Sequence, residues 1–207
     1  MSLRKLHAVS AVLIAAFACV HIANHLAAAT GVASHIAFMN AARTVYRQRV
    51  VEVVLLGCIA LQVVSGLLLV FRGWKQRHGL IPWLQASSGI YLAFFLIAHV
   101  SAVLFGRVAL GLDTNFYFAA AGFHVQLFPF FFAPYYFLGV VALFTHIGCA
   151  AYWQGQGRPR AVRTFLLVGP VAAGAAAALL IVLMLAGMVF PVEIPAQYKA
   201  TYIPGNR

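Results

Sequence analysis

Five stretches of the chain are apolar almost without interruption, and each is long enough to cross a bilayer as a helix. They run from about His7 to Ala29, Val50 to Phe71, Trp83 to Phe105, Pro134 to Trp153 and Thr164 to Phe190. A hydrocarbon core roughly 30 Å thick takes about 20 helical residues. The breaks are polar or helix-stopping: Arg72-Gly73-Trp74-Lys75 follows the second stretch, Pro82 precedes the third, and Pro191 ends the fifth. The segment from Asn115 to Phe132 is aromatic and interrupted by Pro129. It predicts either an interfacial helix or an extension of the fourth span. The expected fold is an all-α bundle of five transmembrane helices forming one domain over residues 1–207.

Composition closes off the alternatives. Of 207 residues, 64% are hydrophobic and 8% charged, against about 25% charged in a soluble domain. A water-soluble globule and a disordered chain are excluded on that ground, and five spans of roughly 22 residues, using about half the chain, leave short loops and no soluble catalytic domain to be expected. The net charge of +11 reflects a shortage of acids, since Glu52, Asp113 and Glu193 are the whole set. The basic residues suit lipid head groups rather than nucleic acid. Arg4 and Lys5 before an apolar run imitate a signal peptide, but the run is too long and carries His21, His25 and Asn24 in its interior, so it reads as a retained first span. Cys19, Cys58 and Cys149 lie in apolar runs and read as small buried hydrophobes. No CxxC or CxxCH motif occurs, which gives no structural zinc site and no covalent haem attachment.

Lysine and arginine set the orientation. With the N-terminus inside, the inner segments hold Arg4, Lys5, Arg72, Lys75, Arg77, Arg158, Arg160 and Arg163. The outer ones hold Arg43, Arg47, Arg49, Arg107, Lys199 and Arg207. The bias is small and favours a cytoplasmic N-terminus. Within the fifth span, the Ala-rich stretch from Val171 to Leu180 offers small residues for close helix packing.

The candidate chemistry lies in the histidines. His7, His35, His78 and His124 fall in loops or at span edges and read as interfacial polar residues. His21, His25, His99 and His146 fall inside spans, where an ionisable side chain is costly and usually functional. At 1.5 Å per residue, His21 and His99 sit roughly 21 and 24 Å from the inner side. Their spans run in the same direction, so the two imidazoles meet at one level and can clamp a haem iron from both sides. Arg43 and Arg47 are candidate propionate partners. His146 and Gln62 share a second, deeper level. Gly66 and Gly139, one and two turns away, would let a flat macrocycle approach the backbone. His21 and His25 also form an HxxxH pair, which leaves a transition-metal site open, as well as a set of interhelical hydrogen bonds.

The ordered stretches VHIAN (Val20 to Asn24), VVEVVLL (Val50 to Leu56), SGLLLVF (Ser65 to Phe71), LQASSGIYLAFFLIAH (Leu84 to His99) and GVVALFTH (Gly139 to His146) carry a resemblance. The chain resembles the single-chain, five-helix cytochrome b anchors of succinate:menaquinone reductases and quinol:fumarate reductases. The resemblance implies His21 and His99 as ligands of the haem distal to the soluble subunits and His146 as a ligand of the proximal haem. It places the fourth ligand position on Gln62, a poor iron ligand, so the proximal haem is either absent, held by His146 alone, or completed by another histidine. Ala86 stands where the family has an arginine, and His25 is an addition. The run HIANHL is also similar to cytochrome-type anchors fused to bacterial nucleotide cyclases.

The expected function is a b-type cytochrome of the bacterial inner membrane, carrying one haem b with a second as an open alternative. It would link menaquinone or ubiquinone to a redox partner such as flavoprotein and iron–sulfur subunits. Glu52, where the family carries a glutamate for quinone protonation, is the candidate proton-transfer residue; the plainer alternative is an interfacial acid paired with Arg47 or Arg49. Two readings from other classes stand beside this one. The first is a stand-alone haem or quinone sensor, or a haem-handling membrane protein. The second is a small transporter using histidines as proton relays, against which the unbroken, unrepeated spans speak.

Overall fold

The computed structural model describes residues 2–202, and every regular element there is helical. In chain order these are α1 (Leu3–Ala27), α2 (Val32–Tyr46), α3 (Arg49–Arg72), α4 (Leu80–Val108), α5 (Phe116–Ala120), α6 (Pro129–Gln154), α7 (Arg160–Leu185) and α8 (Ala196–Lys199). Five of them, α1, α3, α4, α6 and α7, are long and apolar enough to cross a membrane. The protein is a multi-pass membrane protein. α1, α4 and α7 start at one end of the bundle, here called the near end, and α3 and α6 run back from the far end.

The ends of the spans follow local chemistry rather than hydropathy alone. α1 begins a turn before the apolar run because Ser2 caps it, its side chain accepting from the Lys5 amide at 3.3 Å. A cap of this kind satisfies one of the orphan donors of the first turn. α6 starts at Pro129 rather than Pro134, since proline is tolerated at the first helical position. α7 starts at Arg160 and stops at Leu185, short of Pro191. There Gly187 takes a positive φ of 73°, and the amides of Gly187 and Met188 fold back onto Met184 and Leu183. The stretch from Asn115 to Phe132 divides: α5, capped by the Asn115 side chain, then a 3₁₀ turn over Ala121–His124, then the first turn of α6. α2 lies in a segment expected to be a loop.

Each span packs on the next in the order α1, α3, α4, α6, α7, and α7 returns to α1 through a smaller contact. The most extensive contact is α6 on α7. Small residues set its closeness: Gly148 faces the Leu167 main chain, Gly174 faces Phe144, and Ala178 is buried. At the far end Phe116, Ile181, Met184, Leu185, Ile194 and Tyr198 form a buried apolar cluster. It fastens α5 and the segment after α7 over the bundle. Val53, Leu68, Phe94, Ile97 and Phe165 point outward from the spans, as lipid-facing residues do. Of the three cysteines expected to be buried, Cys149 is buried, Cys58 is partly exposed, and Cys19 is exposed on α1 rather than packed inside.

Candidate functional site

The polar side chains inside the bundle gather in two layers. In the far layer, His21 on α1 and His99 on α4 approach to 5.9 Å between ring centroids. The level match expected from their depths is therefore met. α1 and α4 are not packed neighbours among the described residues, so the two rings meet across the interior. Phe17 stacks on His21 at 5.6 Å and Phe95 on His99 at 5.2 Å. Tyr136 of α6 lies edge-on to His99. These aromatic neighbours orient the imidazoles where no hydrogen bond does.

His25 stands 4.8 Å from His21, and His35 of α2 stands 5.3 Å from His25. The four rings form a row, His99–His21–His25–His35. His35 was expected at an interface. It is instead buried, takes a bond from Asn24 Nδ2 to its Nε2 at 3.1 Å, and rests against Phe116. Burial, then the nearby His21 and Arg43, pushes its pKa down to about 4, so His35 is neutral at neutral pH. Helical spacing puts His35, Met39 and Arg43 on one face of α2, a period visible in the sequence once a helix is assumed there.

The near layer corrects the sequence reading at two positions. His7 lies inside the bundle, 6.4 Å from His146 between ring centroids. It reaches that place because the Ser2 cap carries the helix past it. Gln62 does not pair with His146. It donates from Nε2 to the His7 main-chain oxygen and to Ser10 Oγ, both at 2.6 Å, because its face of α3 packs on α1. Gly66 sits against the His7 ring and Gly89 against the His146 ring, while Gly139 faces Phe95.

At the far end, Glu52 of α3 is ion-paired with Arg107 of α4. Neither Arg47 nor Arg49 is its partner. Arg43 instead pairs with Asp113 at 2.7 Å and donates to the Thr114 oxygen at 3.1 Å. Arg47 donates to Thr114 Oγ1 at 3.0 Å. The two arginines thus clamp the connection after α4 onto α2. Ala86 is buried in the bundle, a place with no room for a guanidinium.

Comparison with family models, curated proteins and solved structures finds no match. The chemistry of the site must therefore be read from its own donors. Among the described residues, no three of His, Cys, Asp and Glu converge as a metal-binding group. His35 and His99 flank the HxxxH pair at its two ends, but the four rings lie in a row and do not converge on one point. What the bundle offers is histidines in facing pairs, from helices on opposite sides of the interior. A tetrahedral metal ion takes four protein ligands or three. Two trans imidazoles suit a metal that brings its remaining ligands with it.

Proposed function

We propose that the protein is a membrane b-type cytochrome that passes electrons between a quinone pool and a redox partner. The pairing of His21 with His99 carries this reading. Two metal–nitrogen bonds of about 2 Å each, added to the ring radii, separate trans imidazole centroids by roughly 6 Å. The observed 5.9 Å fits that requirement. Bound haem b supplies the one-electron redox chemistry. His21 and His99 hold its iron, Phe17 and Phe95 fix the ring planes, and the apolar span faces exclude water. With His21 and His99 both holding the iron, the site would favour electron transfer over oxygen activation.

His25, next to His21, contributes to the environment of this pair. Glu52 is the proposed proton-transfer residue for quinone chemistry at the far end, with Arg107 holding its carboxylate in place. Arg43 and Arg47 are the cations available to propionates there. The proposed orientation, from the small excess of Lys and Arg on that side, puts the N-terminal end in the cytoplasm of a bacterium, with flavoprotein and iron–sulfur subunits as the proposed partners.

A redox difference spectrum with a pyridine haemochromogen assay on purified protein tests the reading. The expected result is low-spin haem b that diminishes in His21→Ala and in His99→Ala. A wild-type protein without a Soret band overturns it.

A further inference from the structure

We infer that His7 and His146 form a second bis-imidazole haem site in the near layer, with its ligands on α1 and α6. The inference rests on the proposed function and extends it to a position where Gln62 supplies no ligand.

Hydrogen bonding sets the tautomer of both rings. His146 Nδ1 lies 3.1 Å from the Gln85 main-chain oxygen. A carbonyl only accepts, so Nδ1 carries the proton and donates it. His7 Nδ1 lies 2.8 Å from Ser65 Oγ. The Ser65 hydroxyl donates to the Leu61 oxygen, so its oxygen accepts from His7, and again Nδ1 carries the proton. Each Nε2 is left with a lone pair and, among the described residues, no protein partner. This is the arrangement metal-ligating histidines show: one ring nitrogen anchored to an outer acceptor, the other free to bind.

The surroundings are built for the two rings. A Cβ on Gly66 would stand 3.2 Å from His7 Cε1, and one on Gly89 would stand 3.2 Å from His146 Cε1. Both imidazoles therefore lie against bare backbone. Gln62 holds the α1 turn that carries His7 through two hydrogen bonds. Ser88 Oγ is a further contact of His146 Nδ1, at 3.3 Å. The ring separation of 6.4 Å matches the roughly 6 Å of a trans pair. Along α1 the site lies roughly 21 Å from the far layer.

The test is haem content per chain, with low-temperature electron paramagnetic resonance, on the protein and five variants. Two haems are expected in the wild type. His7→Ala and His146→Ala should each halve the content, or convert the same component to high spin, and added imidazole should restore it. His21→Ala and His99→Ala should remove the other component. Gly89→Val, which keeps all four histidines, should shift the near-layer signal alone. One haem per chain, lost in His21→Ala and untouched in His7→Ala, overturns the second site and leaves the proposed function standing. Absence of haem from the wild type overturns both.

Discussion

Gln62 Nε2 donates to the main-chain oxygen of His7 at 2.6 Å, so the residue on α3 supports the α1 turn beside it rather than facing His146. Gln62→Leu removes this bond and the one to Ser10. Interhelical hydrogen bonds in membranes contribute about 0.6–2 kcal/mol. A loss of about 1 kcal/mol is expected in a detergent melt. The signal of the proposed near-layer haem should broaden as His7 loses its support, while that of the proposed far-layer haem stays unchanged.

The Glu52–Arg107 pair separates a proton role from a structural one. Both side chains are 28% exposed, and a partly exposed pair contributes little, about 1 kcal/mol or less. Arg107→Ala should therefore lower the melting temperature only slightly, and should slow quinol-driven reduction of the proposed haem less than loss of the Glu52 carboxylate does. Glu52→Gln, with no ionisable group left, should slow that reduction several-fold. An unchanged rate in Glu52→Gln removes the proton role.

Contact between α6 and α7 depends on glycine at 148. A Cβ there would press on the main chain of Leu167, which cannot move aside as a side chain can. Gly148→Val is expected to cost about 1–3 kcal/mol by overpacking. The measurement is a melting curve in detergent. Gly57→Ala, at a glycine with open space around it, should melt like the wild type.

Phe116 is wholly buried in the far-end cluster. Phe116→Ala should cost about 3–5 kcal/mol and expose the segment after α7 to protease. Phe165→Ala on the outer face of α7, 72% exposed, should leave both melting and cleavage unchanged.

The spans were legible because nothing else in the chain competes with runs of Val, Leu, Ala and Phe. The level match of His21 and His99 was legible because two parallel helices share one rise per residue. His7 was missed for a specific reason. The first apolar run starts at that residue, which made it look like an edge, whereas Ser2 extends the helix by a turn and draws His7 inside. α2 was missed because His35, Asn40 and Arg43 break up its apolar positions, although Val32, Ile36 and Met39 keep a helical period. The partners of Glu52, Arg43 and Arg47 were out of reach, since pairing between α3 and α4, or between α2 and the connection after α4, depends on helix rotation. Hydropathy carries no record of that rotation.

The two histidine layers lie at different depths, separated by roughly 16 Å along α4, from Ser88 beside the near pair to His99, and by roughly 21 Å along α1, from His7 to His21. That is between about half and about 70% of a 30 Å hydrocarbon core. An electron crossing from one layer to the other would move through the same share of the transmembrane voltage. A full crossing is worth about 2.3 kcal/mol per 100 mV, so this step would carry between roughly half and roughly 70% of that. Reduction of one layer by the other would then be electrogenic, and its equilibrium would respond to an imposed potential in sealed vesicles.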